Sequence, residues 1–262
     1  MAEVPLPASA DLRGQVAIVT GGAGALGTDI GHRLRDLGAD VALLDVVEPS
    51  ATLYDRGGGS GGGRLRGFTA DLCDEHQVAE AIARILAWRG RVDVLVNNAG
   101  IFRGVPRVPF WEIDVATWDR VMETNARSVF LCSRAVAPLM CRARRGRIVN
   151  ITSNTAAFGM ANYLHYVASK AAIVGMTRTM ARELGPYGVA VNAVAPGLVH
   201  TASALAELDR SVFEQAVAGQ CLRTAIEGED VAATVAFLSG AQARMITGQT
   251  LAVNAGATMG AF

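Results

Sequence analysis

Lysine is almost absent from this chain. Of its 24 basic residues, 23 are arginine and one, Lys170, is lysine. An ammonium is a compact point charge and a guanidinium a broad planar one. A single surviving lysine therefore marks either chance or a position that arginine cannot fill. Net charge is missing too, with 24 Lys plus Arg against 24 Asp plus Glu. No basic excess exists to neutralise a phosphate backbone, so nucleic acid is not an expected partner. No apolar run approaches the roughly 18 residues of a membrane span, and no membrane partner is expected. The opening residues, MAEVPLPASADLRG, lack a basic start followed by an apolar stretch. No secretory signal is expected from them, and a cytoplasmic location is. Cys73, Cys132, Cys141 and Cys221 lie far apart without C-x-x-C spacing. That spacing predicts neither a disulfide framework nor a metal site, and it fits a reducing compartment.

What remains is a chain of 262 residues, 51% hydrophobic and 18% charged, long enough to bury a large core. Apolar β-branched runs predict strands at 15–20, 40–45, 65–70, 92–96, 147–151, 189–195 and 250–253. Several, such as VAIV, VALL and VAVNAVA, are apolar on consecutive residues, the pattern of parallel strands covered on both faces. Helical patterns fall between them at 25–37, 74–89, 115–144, 164–184 and 229–239. This alternation predicts one α/β domain over 1–262: a Rossmann-type, doubly wound, parallel seven-stranded sheet with helices on both faces. Its core is expected over about 12–258, with a substrate lid over 202–222. The segment GGGSGGG (Gly57 to Gly63) lacks the Lys-Ser/Thr ending of a phosphate loop and reads as a surface loop.

The first predicted strand runs straight into GGAGALG, residues Gly21, Gly22, Ala23, Gly24, Ala25, Leu26 and Gly27, and then into a helix. Such a turn lets backbone N–H groups meet a pyrophosphate at the positive end of the helix. The second strand ends at Asp45, 24 residues after Gly21. A carboxylate there suits both ribose hydroxyls of a dinucleotide and repels a 2′-phosphate, which favours NAD over NADP. Val46 follows where a phosphate site would want arginine.

Tyr166 and Lys170 are spaced i,i+4 and share one face of the predicted helix 164–184. A free phenol titrates near 10, so a base at neutral pH needs help. A nearby ammonium favours phenolate and can also donate to ribose hydroxyls.

The segments TGGAGALG, Asp45, Asp71-Leu72, NNAG (Asn97 to Gly100), Asn125, Ser153, YVASK and PGLVHT (Pro196 to Thr201) stand in an order that resembles the short-chain dehydrogenase/reductase family over nearly the whole chain. The resemblance implies that Tyr166 is the general acid/base and that Ser153 hydrogen-bonds the substrate oxygen. It implies that Lys170 lowers the phenol pKa and holds the nicotinamide ribose, and that Asn125 fixes a water relay. Asp71 and Leu72 would sit by the adenine, and Asn98 and Gly100 by the ribose. Pro196, Gly197, Val199 and Thr201 would lie along the carboxamide. Ala25 departs from the family's usual glycine.

The substrate wall is expected from Phe102, Phe158, Met160, Tyr163, Leu198, Leu205, Leu208 and Phe213. This favours an apolar or aromatic secondary alcohol or ketone over a sugar phosphate. Tyr163 is seven residues from Lys170, about 10 Å along the axis, and reads as pocket lining. His165 and His200 read as polar packing. Arg142, Arg144, Arg145 and Arg147 read as a solvated helix end, with a carrier-protein contact as the alternative. Within the family, ITSNT, LHYVASKAA, APGLVHTAS and ITGQTLAVNAG resemble the subgroup of aryl-alcohol (1-phenylethanol) and pyridoxal 4-dehydrogenases. The rival there is a 3-oxoacyl-acyl-carrier-protein reductase using NADPH. A non-catalytic NAD-binding sensor is the rival of another class. The apolar residues Ala168, Ala171, Ala172, Gly175, Met176 and Met180 give helix 164–184 more apolar surface than one buried stripe, and the resemblance implies homodimers or homotetramers built on this helix and on 115–144.

Overall fold

A computed structural model describes residues 11–49 and 62–260, so Gly57 to Gly61 of the glycine-rich stretch lie outside the described residues. In chain order the elements are β1 (Val16–Thr20), α1 (Ala25–Asp36), β2 (Asp40–Asp45), β3 (Leu65–Thr69), α2 (Glu75–Arg89), β4 (Val94–Asn97), α3 (Val115–Met122), α4 (Ser128–Ala143), β5 (Gly146–Ile151), α5 (Thr155–Phe158), α6 (Leu164–Leu184), β6 (Val189–Pro196), α7 (Ala202–Glu207), α8 (Arg210–Ala218), α9 (Gly228–Ser239) and β7 (Thr250–Val253). The strands form one parallel seven-stranded sheet in the order β3-β2-β1-β4-β5-β6-β7. The predicted fold class is therefore the observed one.

Why consecutive apolar residues were needed is visible in β1. Ala17 and Val19 pack into the layer shared with Ile30 and Leu34 of α1 and with Val231 and Val235 of α9. Val16 and Ile18 pack into the opposite layer, with Ile85 of α2 and Val136 and Met140 of α4. A strand covered by helices on both sides has no polar face.

Strand order reverses direction between β1 and β4, which opens a crevice at their carboxyl ends, where ligands bind in open α/β sheets. Gly21 turns the chain there with φ +66°, a left-handed value that favours glycine. A Cβ on Gly27 would stand 2.1 Å from the Gly21 carbonyl oxygen, so the turn closes only on glycine at that position.

The single helix predicted over 115–144 is interrupted. Residues Glu123–Arg127 form a π-helical turn between α3 and α4. Two hydroxyls bond back to carbonyls one turn earlier, Thr124 Oγ1 to Arg120 O at 2.8 Å and Ser128 Oγ to Thr124 O at 2.6 Å. Such back-bonding competes with the regular ladder, and π turns recur at functional sites. Asn125 sits inside this turn and is fully buried.

A chain of buried polar groups crosses the middle of the molecule. Asn97 Nδ2 on β4 donates to Ser133 Oγ on α4 (3.0 Å) and to Asn150 Oδ1 on β5 (2.8 Å), and Asn150 Nδ2 donates to Thr177 Oγ1 on α6 (2.8 Å). Each member is 2% exposed or less, so the low dielectric around the chain makes these bonds costly to break.

Candidate active site

The crevice is a cavity of about 980 Å³. At its nucleotide end lie Gly21, Ala23, Gly24, Ala25, Leu26 and Gly27 of the turn, Asp45, and Asp71 with Leu72 after β3. Asp45 ties its own strand to the glycine turn: Oδ2 accepts from Ala23 N at 3.0 Å and Oδ1 from Val47 N at 3.2 Å. A carboxylate has about four acceptor sites, so acceptors remain for vicinal hydroxyls. Thr20 Oγ1 accepts from Asn98 N and Ala99 N, both at 3.0 Å, and so clamps the end of β4 to the end of β1. Asn98, Gly100, Pro196, Gly197, Leu198, Val199 and Thr201 also line the cavity. The Thr201 side chain accepts from Ala204 N and caps α7.

The chemical end is built by β5 and α6. Ser153, Tyr166 and Lys170 all face the same cavity. Ser153 Oγ accepts from Thr155 N at 3.2 Å and from Thr155 Oγ1 at 2.9 Å. With both lone pairs engaged, its proton is left to donate. Tyr166 is stacked on Tyr163, ring centroids 4.7 Å apart. Lys170 Nζ donates to Ile151 O at 3.1 Å and stands 5.9 Å from the Tyr166 ring centre. A Cβ on Gly100 would reach within 3.2 Å of Nζ and 3.1 Å of Asn125 Oδ1, so glycine keeps room beside the ammonium.

Burial, not pairing, dominates the protonation of this couple. It pushes the Tyr166 phenol up, against a smaller downward pull from the Ser153 hydrogen bond. It pushes the Lys170 ammonium down to about 8. Desolvation disfavours the charged form of both groups, and a positive charge brought beside the phenol by a bound dinucleotide would act in the opposite sense on Tyr166. At neutral pH the couple stands as phenol and ammonium, ready to give a proton.

The lysine shift carries a stability signature. Between about 8 and the ordinary 10.5, unfolded chain holds the Lys170 proton and folded chain sheds it, so stability rises with pH. The shift corresponds to about 3 kcal/mol at most. The raised phenol acts oppositely, but only above its ordinary value of 10. Urea midpoints of the wild type should therefore climb relative to those of Lys170→Met from pH 8 to 10. Parallel curves would refute the buried ammonium.

Several expected residues stand elsewhere. Asn125 is fully buried and is absent from the cavity lining. Its Oδ1 accepts from Ile101 N (2.6 Å), and its Nδ2 donates to Ile101 O (3.1 Å) and Ser169 Oγ (3.0 Å). Ser169 in turn donates to Tyr166 O at 2.7 Å. With both amide hydrogens committed, this side chain braces Tyr166 through Ser169. Of the substrate wall, Phe102 and Leu198 line the cavity, while Phe158, Tyr163 and Leu205 do not. Phe158 and Leu205 are 53% and 54% exposed, on outward faces of the short helices α5 and α7. Tyr163 is buried behind Tyr166 and donates to Phe102 O at 2.9 Å. Burial pushes its phenol up. Phe213 packs edge-on against His200. His165 Nδ1 accepts from Tyr166 N.

Residues absent from the sequence reading also line the cavity: Arg103, Ala204 and Ala206 among them. No periodicity marks them, because they come from a loop and a helix of six residues. The Ile151 contact to Lys170 is made by a carbonyl and leaves no trace in side-chain identity.

A doubly wound sheet with a glycine turn, an acidic strand end and a Ser-Tyr-Lys cluster in one crevice defines a dinucleotide-binding oxidoreductase. A family model described as "Enoyl-(Acyl carrier protein) reductase" matches residues 21–258, and the chain belongs to the short-chain dehydrogenase/reductase family, whose members work with a nicotinamide cofactor. It is 37% identical over 247 residues to a 3-oxoacyl-acyl-carrier-protein reductase from Staphylococcus epidermidis, covering 93% of this chain and 98% of that one. It is 38% identical over 244 residues to a cis-4-hydroxycyclohexanecarboxylate dehydrogenase from Sinomonas cyclohexanicum, covering 93% and 96%. A putative short-chain alcohol dehydrogenase from Sinorhizobium meliloti superposes with a TM-score of 0.87 at 30% identity, covering 94% and 97%. Among the described residues no helix is long and apolar enough to cross a membrane, and no group of three His, Cys, Asp or Glu is placed to hold a metal.

Proposed function

We propose that this chain is an NAD-dependent oxidoreductase that interconverts a secondary alcohol and its ketone, with Tyr166, Ser153 and Lys170 as the catalytic group. The observation that carries the reading is one continuous cavity with Asp45 at one end and the Ser-Tyr-Lys cluster at the other. The only cations facing it among the described residues are Lys170 and Arg103. Nothing described at the nucleotide end would neutralise a 2′-phosphate, which supports NAD.

When bound, the nicotinamide supplies the hydride acceptor or donor. The chain's residues handle the proton. Ser153 donates to the substrate oxygen, Tyr166 gives that oxygen its proton in reduction and takes it back in oxidation, and Lys170 steadies whatever negative charge the phenol oxygen gains. Asn125 holds Tyr166 through Ser169. Ile101, Phe102, Leu198, Val199, Ala204 and Ala206 give the substrate an apolar wall, which supports an apolar or aromatic alcohol in the manner of the aryl-alcohol and pyridoxal subgroup. Residues 202–222 serve as its lid. The partly exposed face of α6 bearing Ala171 and Gly175 is the subunit contact of a homodimer or homotetramer.

A second reading, a 3-oxoacyl-acyl-carrier-protein reductase using NADPH, draws on the 37% identical relative. The test is fluorescence titration with NADH and NADPH, followed by turnover with secondary alcohols and with an acetoacetyl thioester. Tighter NADH and alcohol oxidation are expected. Tighter NADPH with thioester reduction would hand the protein to the second reading.

A further inference from the structure

The cavity's apolar end carries one unexplained charge. Its rim is formed by the loop after β4 and by α7. From that loop Ile101 and Phe102 face the cavity, and from α7 Ala202, Ala204 and Ala206. Among them stands Arg103, also on the lining. Its Nε meets Glu207 Oε2 at 3.4 Å, with side chains 58% and 33% exposed, so the pair is long and half-solvated. The second Glu207 oxygen accepts from Gly104 N at 3.2 Å, and Glu207 thereby latches α7 across the cleft.

Two more guanidiniums gather at the same place. Arg107 lies over the Tyr163 ring at 5.1 Å, and Tyr163 is the ring stacked on Tyr166. Arg120 Nη2 donates to Gly104 O at 3.4 Å. Three cations therefore contact this loop or the tyrosine beneath it, and a single carboxylate, Glu207, answers them in the contacts of the described residues. Their field favours an anion. Arginine's five donors form a fork that fits a carboxylate with two parallel bonds, yet Glu207 engages Arg103 through Nε alone.

The geometry points to Arg103 as a specificity-determining residue that grips a carboxylate on the substrate, making the preferred substrate a hydroxy acid or keto acid with an apolar body. Glu207 occupies part of the guanidinium until the substrate's carboxylate displaces it. This rests on the alcohol–ketone reading above and deepens it. Phe102 O, held by Tyr163, fixes where Arg103 leaves the backbone, one residue on. The apolar wall spans the space between that guanidinium and Tyr166.

The test separates binding from turnover. Calorimetry with the NAD-loaded enzyme compares cyclohexanecarboxylate with cyclohexanecarboxamide, both unreactive. The wild type should bind the carboxylate about tenfold or more tightly, the usual advantage of a charge-assisted pair. Arg103→Gln should erase the preference, and Glu207→Gln should strengthen carboxylate binding by freeing the fork. Equal affinities in the wild type, no detectable binding of either probe, or a preference that survives Arg103→Gln overturns the assignment. Turnover of cyclohexanol is followed in parallel. If it proceeds while the carboxylate shows no advantage, the alcohol–ketone reading stands and this inference alone falls. If cyclohexanol and the two hydroxy analogues of the probes all fail to turn over, that reading falls, and the calorimetric ratio still decides the carboxylate site.

Discussion

Tyr166→Phe is expected to lower kcat by about 10²–10⁴-fold, the range over which a positioned acid or base contributes, with little change in cofactor affinity. The change removes one oxygen and keeps the ring. Stacking on Tyr163 at 4.7 Å is retained, and Asn125 and Ser169 hold residue 166 through its backbone oxygen, which the substitution leaves in place. The fold should therefore survive, as an unchanged thermal midpoint would verify. Ser153 still donates to the substrate oxygen, so some activity remains. Because the same oxygen gives the proton in reduction and takes it back in oxidation, the loss should show in both directions. A kcat within about twofold of wild type would falsify proton transfer through Tyr166.

Lys170→Arg should cost on the order of 10²-fold in kcat, although positive charge is conserved. The lysine is 4% exposed. Its Nζ has the Ile151 carbonyl at 3.1 Å on one side and Gly100 on the other, where even a methyl group would come within 3.2 Å. A planar guanidinium needs more width than that slot offers, and it cannot shed its proton to relieve burial. A chain with 23 arginines tolerates that residue in most cationic positions, and this one is the exception its composition pointed to. Should Lys170→Arg keep more than about a tenth of wild-type kcat, the solitary lysine is an accident of composition.

The sheet was legible because its strands are apolar on both faces. VALL at 41–44 is buried throughout, as a strand covered by helices on both faces requires. The nucleotide end was legible for a related reason: Gly21 and Gly27 are dictated by backbone geometry, and Asp45 by the end of its strand. Tyr166 and Lys170 were legible because helical spacing sets them together. The substrate end was not. Phe158 and Leu205 are large and apolar but sit on helices of four and six residues, too short for periodicity to say which way a side chain faces. Asn125 was legible along the chain, but the π turn that carries it and its bonds to Ile101 and Ser169 were not, because they depend on how the helix breaks between α3 and α4. Arg103 lay in a loop, where only tertiary structure decides what meets the cavity.

The buried amide and hydroxyl chain from Ser133 through Asn97 and Asn150 to Thr177 ties α4, β4, β5 and α6 into one block. A hinge cannot run through that block without stranding polar atoms in a dry interior. The crevice roof, α7 and the strip after Gly100, lies outside that block, while the floor that carries Tyr166 and Lys170 is part of it. Substrate preference can drift in the roof over evolutionary time without disturbing the proton machinery beneath it.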